Sequence, residues 1–413
     1  MTEAARALPG DHWRECPHCG QLSRLSQCQP GLIAECPRCG STLWRVRRAN
    51  INFPLACAIA GLLFYIFALV APFIEITAYG RFAMARIETG PVRLSDAGWG
   101  LVGSLVFAVT LVVPGIKLGI VIATLLGIES HLPKTPLRAL FRWYALLSPW
   151  AMIDVYLLGF LVAYTRLTGM FTVHLDTALY ALIGLMIALA AVDASLDQEM
   201  IWRKLDESDK QPPSPTSDIL SCEICGQVNH TSPGHLCQRC HSPLYPRKPA
   251  SISRSWAFTI AAACLYIPAN LYPFMSLTSL AQTQSYTILG GIIELADAGL
   301  WPLALLVLFA SITIPLLKLA GLAYMLIGTQ RGTTRHLRGR TTIYKVIDFI
   351  GRWSMIDIFM VSILVALVHF GRFANVSANV GAMCFAAVVV LTILAVNTFD
   401  PRLMWDHHKE PEA

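Results

Sequence analysis

The strongest constraint on this chain is a set of long apolar runs, four in each half, at residues 53–74, 97–127, 140–167, 177–202, 256–277, 296–327, 343–370 and 378–399. A run of about 20 mostly apolar residues is long enough to cross the hydrocarbon core as a helix. Hydrophobic residues make up 55% of the chain and charged ones 14%. The runs account for that imbalance, so the expected fold is an all-α polytopic membrane protein. Residues 1–50 are polar and lack an apolar core followed by a cleavage site, so they do not read as a signal peptide.

Charge placement orients the spans. Arg45, Arg47, Lys134, Arg138, Arg203, Lys204, Arg247, Lys248, Arg331 and Arg335 fall on one side, which is expected to be cytoplasmic together with both termini. Residues 75–94 alternate in part and read as a short β-hairpin on the far side.

The two halves repeat. Tyr65 matches Tyr266, Pro72-Phe73 matches Pro273-Phe274, Asp96-Ala97-Gly98 matches Asp297-Ala298-Gly299, and Asp197 and Trp202 match Asp400 and Trp405. An even number of spans per half gives both the same orientation, a parallel repeat.

Each half also places a lysine and an aspartate inside apolar runs. Lys117 follows Pro114 and Lys318 follows Pro315, while Asp154 ends Trp150-Ala151-Met152-Ile153-Asp154 and Asp357 ends Trp353-Ser354-Met355-Ile356-Asp357. Such a residue costs about 2.5–3.5 kcal/mol at the centre of a membrane helix, so each needs a partner or a wet cavity. The prolines should bend their helices and free the carbonyls of Thr110 and Ser311. Equal depth on antiparallel neighbours predicts a Lys–Asp contact within each half. One reading is a pair that fixes helix register. The other is a proton or headgroup relay at Lys318, Asp357, Ser311, Ser354 and Asn270, with Lys117 and Asp154 as first-half counterparts.

Eight cysteines form Cys-x-x-Cys pairs outside the runs: Cys16, Cys19, Cys36 and Cys39, then Cys222, Cys225, Cys237 and Cys240. Each set reads as a ribbon of four thiolates around one ion. Thiolates suit zinc or iron, and a reducing compartment disfavours disulfides. Two structural zinc ions are the expectation, and metal binding would supply most of the folding energy of modules this small. The resulting organisation is a zinc ribbon (1–50), a four-helix transmembrane unit (51–205), a Pro-rich linker (206–220), a second ribbon (221–250), a second four-helix unit (251–402) and a tail (403–413). Phosphate-binding loop, metalloprotease helix and nucleophile elbow motifs are all missing from the sequence, so no enzyme is expected, and no nucleic-acid partner.

Two ribbons alternating with two four-span units, the Trp353–Asp357 motif and Phe399-Asp400-Pro401-Arg402-Leu403-Met404-Trp405 resemble the paraquat-inducible protein A family. The first half carries a degraded form of the last motif, Leu196-Asp197-Gln198-Glu199-Met200-Ile201-Trp202. The resemblance, strongest to the lipophilic envelope-spanning tunnel branch, implies tetraspanin-like helical units with a small periplasmic β-element. It implies a Gram-negative inner membrane, phospholipid cargo and a periplasmic mammalian-cell-entry (MCE) tunnel protein as partner. The alternatives are a proton-coupled small-solute transporter and a zinc-dependent membrane scaffold or redox sensor.

Overall fold

The computed structural model describes residues 12–406 except 26–30, 46, 48–49, 79–80, 169–171, 207–218, 231–232, 280–281 and 368–373. Most of the expected linker and tail therefore lies outside the described residues.

The chain opens with two antiparallel hairpins, β1 (His12–Glu15) with β2 (Leu22–Leu25) and β3 (Ile33–Glu35) with β4 (Thr42–Arg45). The first half continues with α1 (Asn52–Val70), β5 (Ile74–Ala78), β6 (Arg81–Ala85), α2 (Thr89–Asp96) and α3 (Gly100–Phe107). A π-helical turn at Ala108–Val112 leads into α4 (Val113–Glu129). Then come α5 (Lys134–Leu147), a 3-10 turn at Ser148–Trp150, α6 (Ile153–Thr168), β7 (Thr172–Leu175), α7 (Thr177–Ser195) and α8 (Gln198–Leu205).

The second half follows the same order. After the hairpin of β8 (Ile219–Ser221) and β9 (Val228–His230) come α9 (Ser251–Leu271), β10 (Met275–Ser279), β11 (Gln282–Tyr286), α10 (Ile288–Asp297) and α11 (Trp301–Leu308). A π turn at Phe309–Thr313 precedes α12 (Ile314–Gln330). Next are α13 (Leu337–Gly351), a 3-10 turn at Arg352–Met355, α14 (Ile356–Leu367), β12 (Ala374–Ala378), α15 (Val380–Thr398) and a final 3-10 turn at Pro401–Met404.

Seven of the described helical stretches are long and apolar enough to cross a membrane: Asn52–Val70, Gly100–Glu129, Lys134–Thr165, Thr177–Ser195, Trp301–Gln330, Leu337–Ala366 and Val380–Thr398. The sequence reading counts eight. The difference is α9, which spans 21 residues but carries Ser251, Ser253, Arg254, Ser255 and Thr259. Its packing still matches that of α1. In α1 the buried residues are Pro54, Ala58, Gly61 and Ala68, while Leu63 and Val70 are 65% and 69% exposed. In α9 Ser255, Thr259, Ala262 and Ala269 are buried, while Ile267 and Leu271 are 62% and 73% exposed. Small residues inside and large apolar ones outside invert the pattern of a water-soluble helix and suit packing in lipid. α1 lies along α7, and α9 along α15.

Two expectations are corrected. The chain is mostly helical rather than all-α, and the hairpin expected at residues 75–94 ends at Ala85. Helix α2 follows, with Pro91 in its first turn, where a missing N–H costs nothing. Each hairpin gains a third strand from far along the chain, giving sheets in the order β6-β5-β7 and β11-β10-β12. A pairing of that kind leaves no local trace in sequence. The halves meet where α6 packs on α14, with Tyr156 and Phe359 edge to face at 5.6 Å between ring centres.

Candidate functional site

The cysteines converge first. Each Cys-x-x-Cys turn closes with the N–H five positions along its count donating to the first cysteine's carbonyl: Gly20 to Cys16, Gly40 to Cys36, Gly226 to Cys222 and His241 to Cys237, all at 2.9 Å. The three glycines have φ of +69° to +73°, which L side chains adopt only at a cost. His241 takes the same left-handed conformation at φ 54°. The turns bring Cys16, Cys19, Cys36 and Cys39 together, and likewise Cys222, Cys225, Cys237 and Cys240, with all sulfurs of a set within 4.8 Å of one another. Facing sulfurs lie 3.4–3.5 Å apart, far beyond a covalent disulfide of about 2.05 Å. Four thiolates about 2.3 Å from a central ion stand about 3.8 Å from each other, so both sets fit a tetrahedral metal. Ser41 and Ser242 hydroxyls sit 3.0 and 3.2 Å from Cys39 and Cys240.

Arg402 ties both modules to the end of α15. Its guanidinium donates to Asp400 (2.9 and 3.0 Å), to Glu15 beside Cys16 (3.3 Å) and to Glu223 beside Cys222 (2.7 Å). Burial pushes the Asp400 carboxyl up, but hydrogen bonds and charge from Arg402 outweigh it and hold Asp400 below the usual carboxylate range. At Glu15 burial wins over Arg402 and Arg247, and the carboxyl lies above its ordinary value. A second knot joins Glu199 of α8 to Arg203 and Arg239, both at 3.2 Å.

The buried lysines come next. Lys117 and Lys318 are each 2% exposed. Neither makes the Lys–Asp contact expected within its own half. Lys117 Nζ donates to Asp193 of α7 at 2.8 Å, and the second Asp193 oxygen accepts from Tyr144 at 2.9 Å. Lys318 Nζ donates to the carbonyl of Gly351 at 2.9 Å, the last residue of α13. The physical reason is that the spans carrying the aspartates are broken. Helices α5 and α6, and α13 and α14, are separated by 3-10 turns, so Asp154 and Asp357 fall in the first turns of α6 and α14. A helix N-terminus favours a carboxylate and a C-terminus favours an ammonium. At the second break Lys318 therefore meets one helix end while Asp357 sits on the other.

The prolines also act differently from the expected kink. Without an N–H at Pro114 or Pro315 the ladder slips by one residue, and Val113 and Ile314 bond to Ala108 and Phe309 as π turns. The hydroxyls of Tyr65 and Tyr266 donate to the carbonyls of Leu111 and Ile312, at 2.9 and 3.3 Å, one residue past Thr110 and Ser311.

A cavity of about 460 Å3 lies between the halves, lined by Lys117, Asp154, Asp193, Lys318, Asp348 and Asn397 among others. Asp357, 2% exposed, instead shares with Ser311 a cavity of about 20 Å3, room for about one water. Ser354 is buried within the second break. Asn270 lines neither cavity; its amide donates to the Tyr266 carbonyl of its own helix at 2.9 Å. Sequence reasoning missed Asp193 and Tyr144. Glu199 and Arg402 it quoted only within the two copies of one motif, and that repeated motif was the one available signal.

Fold and site together define a mostly helical, multi-span membrane protein with two four-cysteine clusters and ionisable side chains at breaks in its long apolar helices. The chain belongs to the paraquat-inducible protein A family, whose sequence model matches residues 51–206 and 252–409. It is 29% identical over 404 residues to the intermembrane transport protein PqiA of Escherichia coli, covering 96% of each chain. It is 28% identical to the lipophilic envelope-spanning tunnel protein A of E. coli, covering 98% of this chain and 94% of that one. A probable intermembrane transport protein of Haemophilus influenzae is 26% identical, covering 95% of this chain and 94% of that one. No solved structure matches the chain.

Proposed function

We propose that this protein is the inner-membrane subunit of an intermembrane phospholipid transport system, loading lipid into, or accepting it from, a periplasmic MCE tunnel protein. In this reading residues 51–205 and 251–402 are tandem four-helix units, the β6-β5-β7 and β11-β10-β12 sheets face the periplasm, and both termini are cytoplasmic. Two zinc ribbons, at residues 1–50 and 221–250, brace the cytoplasmic ends. The observation that carries the reading is the pair of lysines, one from each half, buried inside apolar helices and lining one shared cavity. Ammonium groups are costly at that location and are kept where a charge or a cargo must be handled. Full-length similarity to proteins named for intermembrane transport supplies the class of task.

The drive is a charge relay in the second half. Lys318 donates to the Gly351 carbonyl at the C-terminal end of α13 and Asp357 lies in the first turn of α14, with Ser354 in the break and Ser311 lining the same small cavity as Asp357. A proton leaving Lys318 weakens its hold on Gly351, and a proton reaching Asp357 removes its attraction to the start of α14, so protonation is coupled to the geometry of the break.

The test is growth under conditions that demand the protein. Lys318→Ala and Asp357→Asn are each expected to abolish it while protein still reaches the membrane. Wild-type growth from a double apolar replacement of Lys318 and Asp357 would refute the relay and leave a register-fixing pair. Absence of co-purifying phospholipid and of an MCE partner would count against the transport assignment itself.

A further inference from the structure

We propose that the two cysteine modules form a crossed brace: each is tied by its connector to the half it precedes, docks on the opposite half, and so holds the two halves in one arrangement while both modules carry metal. The proposal takes from the function reading only its metal-loaded modules and does not depend on the cargo.

The docking is crossed. Cys16, Cys19, Cys36, Cys39 and Leu43 of the first module share a buried apolar cluster with Leu322 and Leu326 of α12, Leu337 and Tyr344 of α13, and Trp405. Among the described residues, no helix of the first half contributes to that cluster. Arg338, in the first turn of α13, donates to the carbonyls of Arg38 (2.8 Å) and Pro37 (3.4 Å). The Arg38 guanidinium lies 5.0 Å from the centre of the Trp405 ring. The second module meets the first half instead. Arg239, 6% exposed, donates to Glu199 of α8 (3.2 Å) and to Asp206 just beyond that helix (3.1 Å). Arg38 and Arg239 occupy the same place in the repeat, one before Cys39 and the other before Cys240. The same arginine position therefore docks twice, each time on the other half.

The connectors run the opposite way. Arg47 donates to the carbonyls of Asp193 and Leu196 at the end of α7, and Trp44 lies under Arg203 of α8 at 5.3 Å. At the matching place past the second module, Lys248 donates to the Asn397 carbonyl at the end of α15 (2.7 Å) and through its N–H to Asp400 (3.0 Å). The last carbonyls of a helix lack intrahelical partners and favour a cation, so these ends are anchor points. Each module is thus held at two places, one on each half.

A charge inversion opposes the uncrossed arrangement. Glu199 and Arg402 each stand two residues past the matched aspartates, Asp197 and Asp400. Docked on its own half, Arg239 would face Arg402 in place of Glu199, like charge against like. Arg402 takes the acidic Glu15 and Glu223, and Glu199 has Arg14 at 3.9 Å besides Arg239, so both knots also join module to module. Between the halves, α6 approaches α14 so closely that a methyl on Gly159 would stand 3.0 Å from the Ile356 carbonyl. That contact is the pivot, and rotation about it reshapes the cavity that Lys117 and Lys318 both line. A brace across the helix ends blocks the rotation. A module this small depends on its metal to stay folded, so metal loss releases it.

The experiment uses the full chain in detergent. The photo-cross-linking residue p-benzoylphenylalanine is placed at Pro37 or at Gln238, exposed and equivalent positions in the two modules. Mass spectrometry should find the first attached to α13 or the segment around Trp405, and the second to α8 or Asp206. Attachment of either probe to its own half instead would overturn the crossed docking. Non-natural nitroxide residues at Leu126 and Ile327, 44% and 39% exposed near the ends of α4 and α12, report the arrangement of the halves. Their distance distribution should be narrow in the parent and broaden after a zinc chelator strips the metal. Arg239→Met should lose most of the Gln238 cross-link and broaden the same distribution with both metals still bound, which separates undocking from unfolding of the module. A distribution that stays narrow after stripping, or after the Gln238 cross-link is lost, would overturn the brace. Parent protein without bound metal would sink the metal reading and the metal dependence together, while the cross-links still decide the docking.

Discussion

Replacing Arg402 with Met should release both cysteine modules from the membrane helices. The Arg402 side chain is 5% exposed, and its main partner, Asp400, is 1% exposed. Asp400 also accepts from the Lys248 N–H at 3.0 Å, which anchors the approach to α9. Removing one member of a buried pair costs about 3–5 kcal/mol, because the other charge stays buried. Glu223 is 46% exposed and adds at most about 1 kcal/mol. At about 1.4 kcal/mol per factor of ten, opening of the junction should rise by roughly two to three and a half powers of ten. Hydrogen exchange of the β1 and β8 amides in membrane-inserted protein measures this directly. Arg402→Lys should recover only part of the protection, since an ammonium cannot fork across Asp400, Glu15 and Glu223. The pH dependence gives a second readout. Asp400 is held low, so its contribution is present above its unfolded value of about pH 3.9 and is lost as pH falls through the lowered one. Glu15 runs the other way: its value is raised, so its contribution is full below about pH 4.3 and is lost as pH rises through the raised value. Exchange rates in Arg402→Met within threefold of the parent, in protein that remains folded, would show that Arg402 does not hold the modules to the helices.

Elemental analysis should find two zinc per chain, and Cys225→Ser should lower protein abundance; iron, or far less than two zinc, would count against the ribbons. An impermeant thiol reagent on sealed cells should leave Cys16 and Cys222 unlabelled, and their labelling would reverse the proposed orientation. Gly115→Ala should destabilise the first half by about 1–3 kcal/mol, since the new methyl would stand 2.9 Å from the Tyr65 ring and dislodge its hydroxyl from Leu111. Gly119→Ala, with no atom within 4 Å, is the control, and equal melting temperatures for the two variants would dismiss the role given to Tyr65.

The two cysteine clusters were legible residue by residue, because each Cys-x-x-Cys pair and its closing turn is a local object spanning five positions. Helical spans, the internal repeat and the presence of Lys117, Lys318, Asp154 and Asp357 inside apolar runs were likewise visible, since hydropathy needs no partner to be read. Partner choice was not. Lys117 pairs with Asp193, 76 residues away, and that aspartate looks from sequence like one more polar residue near a helix end. The breaks before Asp154 and Asp357 also escaped notice. Pro149 marks the first, but Arg352-Trp353-Ser354 carries no comparable breaker, and the second follows from how the ends of α13 and α14 are packed and hydrogen-bonded. Arg402 stands 387 residues from Glu15, and the third strand of each three-stranded sheet comes from beyond five further helices, α2 to α6 in the first half and α10 to α14 in the second. The amino-acid order fixes which segments must leave water, because hydropathy is a property of each residue against its solvent. Which charge meets which was settled by packing in three dimensions, because it depends on distances that chain order does not contain.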